Sequence, residues 1–146
     1  MYTVKKMNEK DIPICKKNVS EKVYPKGWDY VSVTADKKDF LGLVLFYNKN
    51  IVGYATLDVA IRDVLDLAVL PNHQKKGGSK VLITHLFRVM YDLGGVWTAD
   101  ARESTALQTL RNARDKGLIK LKEGGVRFVM DGEKLIMVKI KVLVRP

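Results

Sequence analysis

DLAVLPNHQKKGGSKVL, residues 66–82, is the stretch on which the reading of this chain turns. DVLDLAVL (63–70) has the apolar, β-branched content of a buried strand, and Pro71 ends it. The loop NHQKKGG follows. Val81, Leu82, His85, Leu86, Val89, Met90 and Leu93 then recur at helical spacing, so an amphipathic helix starts directly after the glycines. Strand, glycine-rich turn and helix together make an anion cradle. The first amides of a helix have no intrahelical partner, and the positive end of the helix dipole adds to them. Gly77 and Gly78 remove Cβ atoms, small Ser79 preserves access, and Lys75, Lys76 and Lys80 add charge nearby. The loop has neither the GxxxxGK[ST] spacing of a nucleotide-triphosphate loop nor the GxGxxG of a dinucleotide fold.

Working outward, LGLVLFY (41–47) and IVGYATLDVA (51–60) flank the polar turn NKN and predict a hairpin. Tyr2 to Met7 reads as a first strand. Asp11 is a candidate cap for a helix whose face carries Ile12, Cys15, Val19 and Val23. Val96 to Ala101 reads as a strand. A helix marked by Ala106, Leu107, Leu110 and Ala113 follows, closed by Gly117. Two strands, about 119–130 and 134–144, meet near Asp131-Gly132. In the last, Ile136, Val138, Ile140, Val142 and Val144 share one face and Lys139 and Lys141 the other. The order β-α-β-β-β-α-β-α-β-β predicts an α/β fold: a mixed sheet of six to seven strands with helices on both faces.

The 146 residues suit one domain over 1–146. An apolar fraction of 47% excludes disorder, no apolar run is long enough to span a membrane, and MYTVKKMNEKDIP lacks a signal peptide's apolar core. The lone Cys15 cannot form an internal disulfide, which predicts a reducing, cytoplasmic setting. Two His and one Cys offer no metal-ligand spacing. The net charge is +10 and favours anionic partners, either an acidic protein or a nucleic acid. That charge disfavours polycationic acceptors. Asp58, Asp63 and Asp66 lie directly before the basic run Lys75, Lys76, Lys80 and Arg88.

Leu67-Ala-Val69-Leu-Pro71-Asn-His-Gln74-Lys-Lys-Gly77-Gly-Ser79 resembles the acyl-CoA signature of the GNAT (GCN-five-related) N-acetyltransferases. NKNIVGYATL resembles the family's preceding hairpin, and WTADARESTALQTLRNARDKGLIK its following strand and helix. The resemblance implies acetyl-CoA as cofactor and an amine, of a small molecule or a protein, as acceptor. It implies that Leu67 and Val69 hold the pantetheine arm by their backbone, and that amides from Gln74 through Lys80 hold the diphosphate. It also implies a β-bulge that splays this strand from the next. Asp63, six residues before Val69, stands where many members carry a catalytic glutamate; Asp66 is the alternative. Three apart on a strand, the two face opposite sides, so at most one is expected to reach the cleft.

The chain departs from the family in its last helix. Counting to the usual general-acid tyrosine lands on Ala113 or Arg111, and Glu103-Ser104-Thr105 replace the usual asparagine. Ser104 is the candidate cofactor contact there. Tyr24, Tyr30 and Tyr47 are the candidates to supply the proton; release of thiolate to water is the other route. A second reading follows from the same departures: a catalytically weak GNAT-like domain that binds acyl-CoA, nucleic acid or protein. His73, in the loop, is a candidate cofactor contact, while His85, Trp28, Trp97 and Cys15 read as packing residues.

Overall fold

The structure, a computed structural model, describes residues 1–24, 36, 38–102, 106–131 and 133–145. In chain order the elements are β1 (Tyr2–Lys6), α1 (Asp11–Cys15), a π-helical stretch Lys16–Ser20, α2 (Glu21–Val23), β2 (Phe40–Tyr47), β3 (Asn50–Asp58), β4 (Asp63–Val69), α3 (Pro71–Gln74), α4 (Gly78–Leu93), β5 (Trp97–Arg102), α5 (Ala106–Asp115), β6 (Ile119–Asp131) and β7 (Glu133–Val144). Among the described residues, seven strands form one sheet in the order β1-β2-β3-β4-β5-β7-β6. Only β4 and β5 pair parallel; the other neighbours are antiparallel. The mixed sheet expected from the element order is present, with two local differences.

Pro71–Gln74 is a short helix where a loop was expected, because the amides of His73 and Gln74 both find the Leu70 carbonyl. The first helix is also capped differently. The Asn8 side chain accepts from the Asp11 amide at 3.2 Å, and Asp11 accepts from the Asn8 amide at 2.9 Å. This reciprocal pair makes Asn8 the capping residue, with Asp11 its partner three residues on.

Two cores lie on the two faces of the sheet. Leu43, Leu45, Leu57, Trp97, Ile140 and Val142 pack against Leu82, Leu86 and Met90 of α4. Val44, Ile51, Tyr54 and Ala68 pack under Cys15 and Val19 on the other face. Strand alternation dictates the division: Leu43 and Leu45 point one way and Val44 the other. Full burial of each such side chain contributes about 1.5–3 kcal/mol. Cys15 is fully buried, and burial, then Asp11, pushes its thiol up to about 12, so it is a packing residue.

Arg62 clamps the β3–β4 turn to the end of α4. Its guanidinium donates to the carbonyls of Gly94 at 2.9 Å, Leu93 at 2.8 Å and Val59, and lies 5.3 Å from the ring centre of buried Trp97. A cation at a helix C-terminus also complements the dipole. The clamp fixes where β4 begins, next to the site.

Candidate functional site

β4 carries most of the site. Its parallel pairing with β5 has only two register positions, Asp63↔Thr98 and Val64↔Ala99. Beyond Val64 the two strands part. The antiparallel register with β3 slips at the same place, from Leu57↔Val64 to Thr56↔Asp66, leaving Leu65 as an extra residue in β4. A bulge of this kind bends its strand. The result is a cleft of 530 Å³ between the strands, floored by Leu65, Leu67 and Ala99 and reaching Gln74 and Ser79 at the turn.

The backbone beyond the bulge faces this cleft. The Leu70 amide donates to the Val52 carbonyl, so by alternation Ala68 and Asp66 bond to β3 while Leu67 and Val69 turn their N–H and C=O to the open edge. Those two carbonyls are met from the cleft side: Tyr24 Oη donates to Leu67 O at 3.3 Å and Gln74 Nε2 to Val69 O at 2.8 Å. The resemblance had pointed to the same two residues for a backbone role.

At the end of β4, Gly77 adopts φ 91°, a left-handed conformation suited to glycine, and α4 begins at Gly78 without a side-chain cap. A Cβ on Gly78 would stand 2.8 Å from His73 O, whereas a Cβ on Gly77 would meet nothing within 4 Å. Among the described residues no acceptor meets the amides of Gly78, Ser79 and Lys80. Of the expected Gln74–Lys80 run, Gln74 and Gly77 already donate to Leu70 O and Gln74 O. The Gln74 contribution is therefore its side chain, holding Val69 in place. Lys75 and Lys80 are exposed beside the turn, and the Lys76 ammonium sits 5.6 Å over the Tyr47 ring.

His73 does not turn to the cleft. Its Nδ1 shares a 2.8 Å hydrogen bond with Tyr2 Oη, and its ring packs against Tyr2 and Tyr47. Partial burial, then Lys76, holds its imidazole below the usual value. It ties the turn to the sheet.

The two aspartates separate. Buried Asp66 reaches the main cleft, where Tyr54 Oη donates to Oδ2 at 2.6 Å and Tyr24 Oη to Oδ1. Burial, then the Asp66 charge, pushes the Tyr54 phenol far above its ordinary range, so it remains a proton donor. Asp63 accepts from Thr98 Oγ1 at 2.8 Å and lines a second cavity of 480 Å³. The cavities share Val64, Leu65, Ala99, Asp100 and Ile140, so they meet at the splay. The expectation that the two aspartates face opposite sides is corrected: the extra residue at Leu65 sets Asp63 opposite Asp58 and Asp66 opposite Thr56, two apart on β3, so both stand on one face of the sheet and line neighbouring cavities.

Of the residues counted for a general acid, Ala113 is buried and Arg111 makes a bidentate pair with Glu123 at 2.6 and 2.9 Å. Tyr47 belongs to the Tyr2–His73 cluster, and Tyr24 is the tyrosine brought to the cleft. Ser104, Tyr30 and Trp28 lie outside the described residues. No helix of the described residues is long and apolar enough to cross a membrane.

Parted parallel strands and a helix whose first amides meet no acceptor among the described residues thus border one cleft. The family model described as Acetyltransferase (GNAT) family matches residues 7–114, and the chain belongs to that family. No curated protein matches it by sequence. Its fold is similar to that of the ribosomal-protein-S18-alanine N-acetyltransferase of Escherichia coli, with TM-score 0.75 and 18% identity over 100% of this chain and 96% of that one. It is similar to Arabidopsis thaliana NAA60, solved with a bisubstrate analogue, with TM-score 0.71 and 10% identity over 99% and 98% of the two chains. It is similar also to the spermidine/spermine N-acetyltransferase SpeG of Vibrio cholerae, with TM-score 0.65 and 15% identity over 98% and 95%.

Proposed function

We propose that the protein transfers an acetyl group from acetyl-CoA to a primary amine, by direct attack across the splay between β4 and β5. The observation that carries this reading is the junction itself. Three unpartnered amides at Gly78–Lys80 and two outward-turned strand residues, Leu67 and Val69, border one cleft. The residues fit the cofactor: amides and Lys75, Lys76 and Lys80 suit a diphosphate, and the β4 edge suits an amide-bearing arm. When bound, acetyl-CoA supplies an activated acyl group, whose C–S bond breaks as the amide C–N bond forms.

The chain's own groups then move protons. An ammonium has no lone pair, so a base must take its proton, and Asp63 at the second cavity serves as that base. Tyr24 Oη, oriented by Asp66, carries the proton that returns to the leaving sulfur. Tyr54 holds the other Asp66 oxygen and keeps that carboxylate in place. Fold relatives named for alanine N-termini of ribosomal proteins and for polyamines support an amine acceptor for this chain.

Titration with acetyl-CoA, followed by thiol release over a panel of amines, tests the reading. Saturable binding and amine-dependent release are expected. An absence of acetyl-CoA affinity overturns it, and binding without release on any amine favours the non-catalytic alternative. Tyr24→Phe is expected to lower kcat by about 10²-fold with acetyl-CoA affinity unchanged. An unaltered kcat removes Tyr24 from the proton path.

A further inference from the structure

The second cavity lies on a row of residues that spans four strands. Asp63 on β4 pairs in register with Thr98 on β5, Thr98 with Lys141 on β7, and Lys141 with Lys122 on β6. Directly opposed residues point to one face, so these four side chains stand side by side. One step along the same face, Asp100 on β5 is paired with Lys139 on β7. All six line the cavity. Beside Lys139 the register breaks at Gly124-Gly125, whose missing side chains leave the trough open; a Cβ at Gly125 would meet nothing within 4 Å.

The row is polar end to end. Carboxylates stand at the splay and three ammonium groups at the far end. Lys122 directly opposite Lys141 is a like-charge pair, which costs stability in an empty sheet. Among the described residues none of Lys122, Lys139 and Lys141 meets a carboxylate. The opposite face of the same strands carries the core residues Val138, Ile140 and Val142, so the three lysines lie on the face turned away from that core.

We infer that this trough binds the acceptor, and that the acceptor is the N-terminus of a polypeptide with Asp or Glu at its next few positions. The assignment rests on the acetyl-transfer reading and names its substrate class. The amine meets Asp63 and Asp100 at the splay, and the acidic side chains meet the lysines. Neighbouring strands lie about 4.8 Å apart, so the lysines stand roughly 5–14 Å from the carboxylates. An extended peptide advances about 3.3 Å per residue, which brings residues two to four over them. A free amino acid holds its carboxylate beside the amine, too near to reach. A polyamine sets cations against cations.

The test uses the full chain and C-terminally labelled peptides with a free N-terminus, identical except for Glu, Ser or Lys at positions two to four. Fluorescence anisotropy reads affinity without turnover, and thiol release with acetyl-CoA reads kcat/KM. The Glu peptide is expected to exceed the Ser peptide by about tenfold in both, the Lys peptide to fall below it, and the gap to shrink as salt rises. The triple variant Lys122→Glu, Lys139→Glu and Lys141→Glu inverts the order while acetyl-CoA affinity holds. Lys139→Gln with Lys141→Gln, a milder change on exposed positions, levels it. Equal peptides, a preference for Lys, an order unmoved by either variant, or a single-stranded RNA that outcompetes the Glu peptide for these lysines overturns the assignment. The two readings fail separately. Loss of acetyl-CoA affinity with the peptide order intact removes acetyl transfer alone, and thiol release that favours spermidine removes the acidic acceptor alone.

Discussion

Asp63→Asn lowers kcat/KM for amine acetylation by about 10²–10⁴-fold, the range of general-base assistance. The substitution keeps the shape of the side chain and an oxygen to accept from Thr98 Oγ1, the bond seen at 2.8 Å, so the β4–β5 register survives. What it removes is the ability to take a proton at the mouth of the second cavity. Acetyl-CoA affinity is expected to be unchanged, since the amides proposed for the diphosphate lie at the far end of β4. The defect shrinks as pH rises toward the amine's own value, about 8 for an α-amino group, because more acceptor arrives neutral. A pH–rate profile of both proteins on one peptide checks this. A parallel profile with no drop in rate assigns the base elsewhere. Asp66→Asn is the contrasting variant: both oxygens of this buried carboxylate accept from phenols, that of buried Tyr54 and that of Tyr24, so its replacement disturbs packing as well as rate.

Gly77→Asp weakens acetyl-CoA binding by about a hundredfold. Two effects act. A non-glycine residue at φ 91° costs the fold roughly 1–2 kcal/mol. A carboxylate beside a diphosphate costs binding about 1–4 kcal/mol of repulsion per close charge, depending on local screening. The Cβ itself meets nothing within 4 Å, so there is no clash, but the left-handed backbone strains any non-glycine residue and the melting temperature falls by a few degrees in the Asp and Asn variants alike. Gly77→Asn supplies the control: nearly the same shape, tolerance of the left-handed conformation, and no charge. It is expected to bind within about tenfold of the parent, since it adds no charge and its conformational cost falls on the free and the bound protein alike. Calorimetric titration of the three proteins checks the order. Equal affinity of the Asp and Asn variants would place the diphosphate away from this turn.

Much of the architecture was legible along the chain because it depends on local signals. Period-two alternation in 40–58 and 133–144, the helical face of 81–93, and the breaks at Pro71, Gly94 and Gly117 each act within a few residues of themselves. The glycine turn was readable for the same reason: unpartnered amides after Gly77 follow from where a helix begins, whatever surrounds it. Asn8-Glu9-Lys10-Asp11 carried a capping signal too, three residues apart, that points to Asn8 rather than Asp11 as the cap.

The chemistry of the cleft was decided at long range. Tyr24 reaches Asp66 across 42 positions, and no local pattern brings that pair together. The extra residue at Leu65, and with it the cavity each aspartate faces, arises from how β4 satisfies β3 on one edge and parts from β5 on the other. The row from Asp63 to Lys122 exists only because four strands settle into one register, and a slip of one residue would send each side chain to the opposite face. Thus the sequence by itself determined the strands, the helices and the glycine turn that opens α4, through backbone preferences and hydrophobic period. The tertiary structure decided which cavity each aspartate lines, which tyrosine meets a carboxylate and where three lysines converge, because register is set by packing summed over the whole sheet.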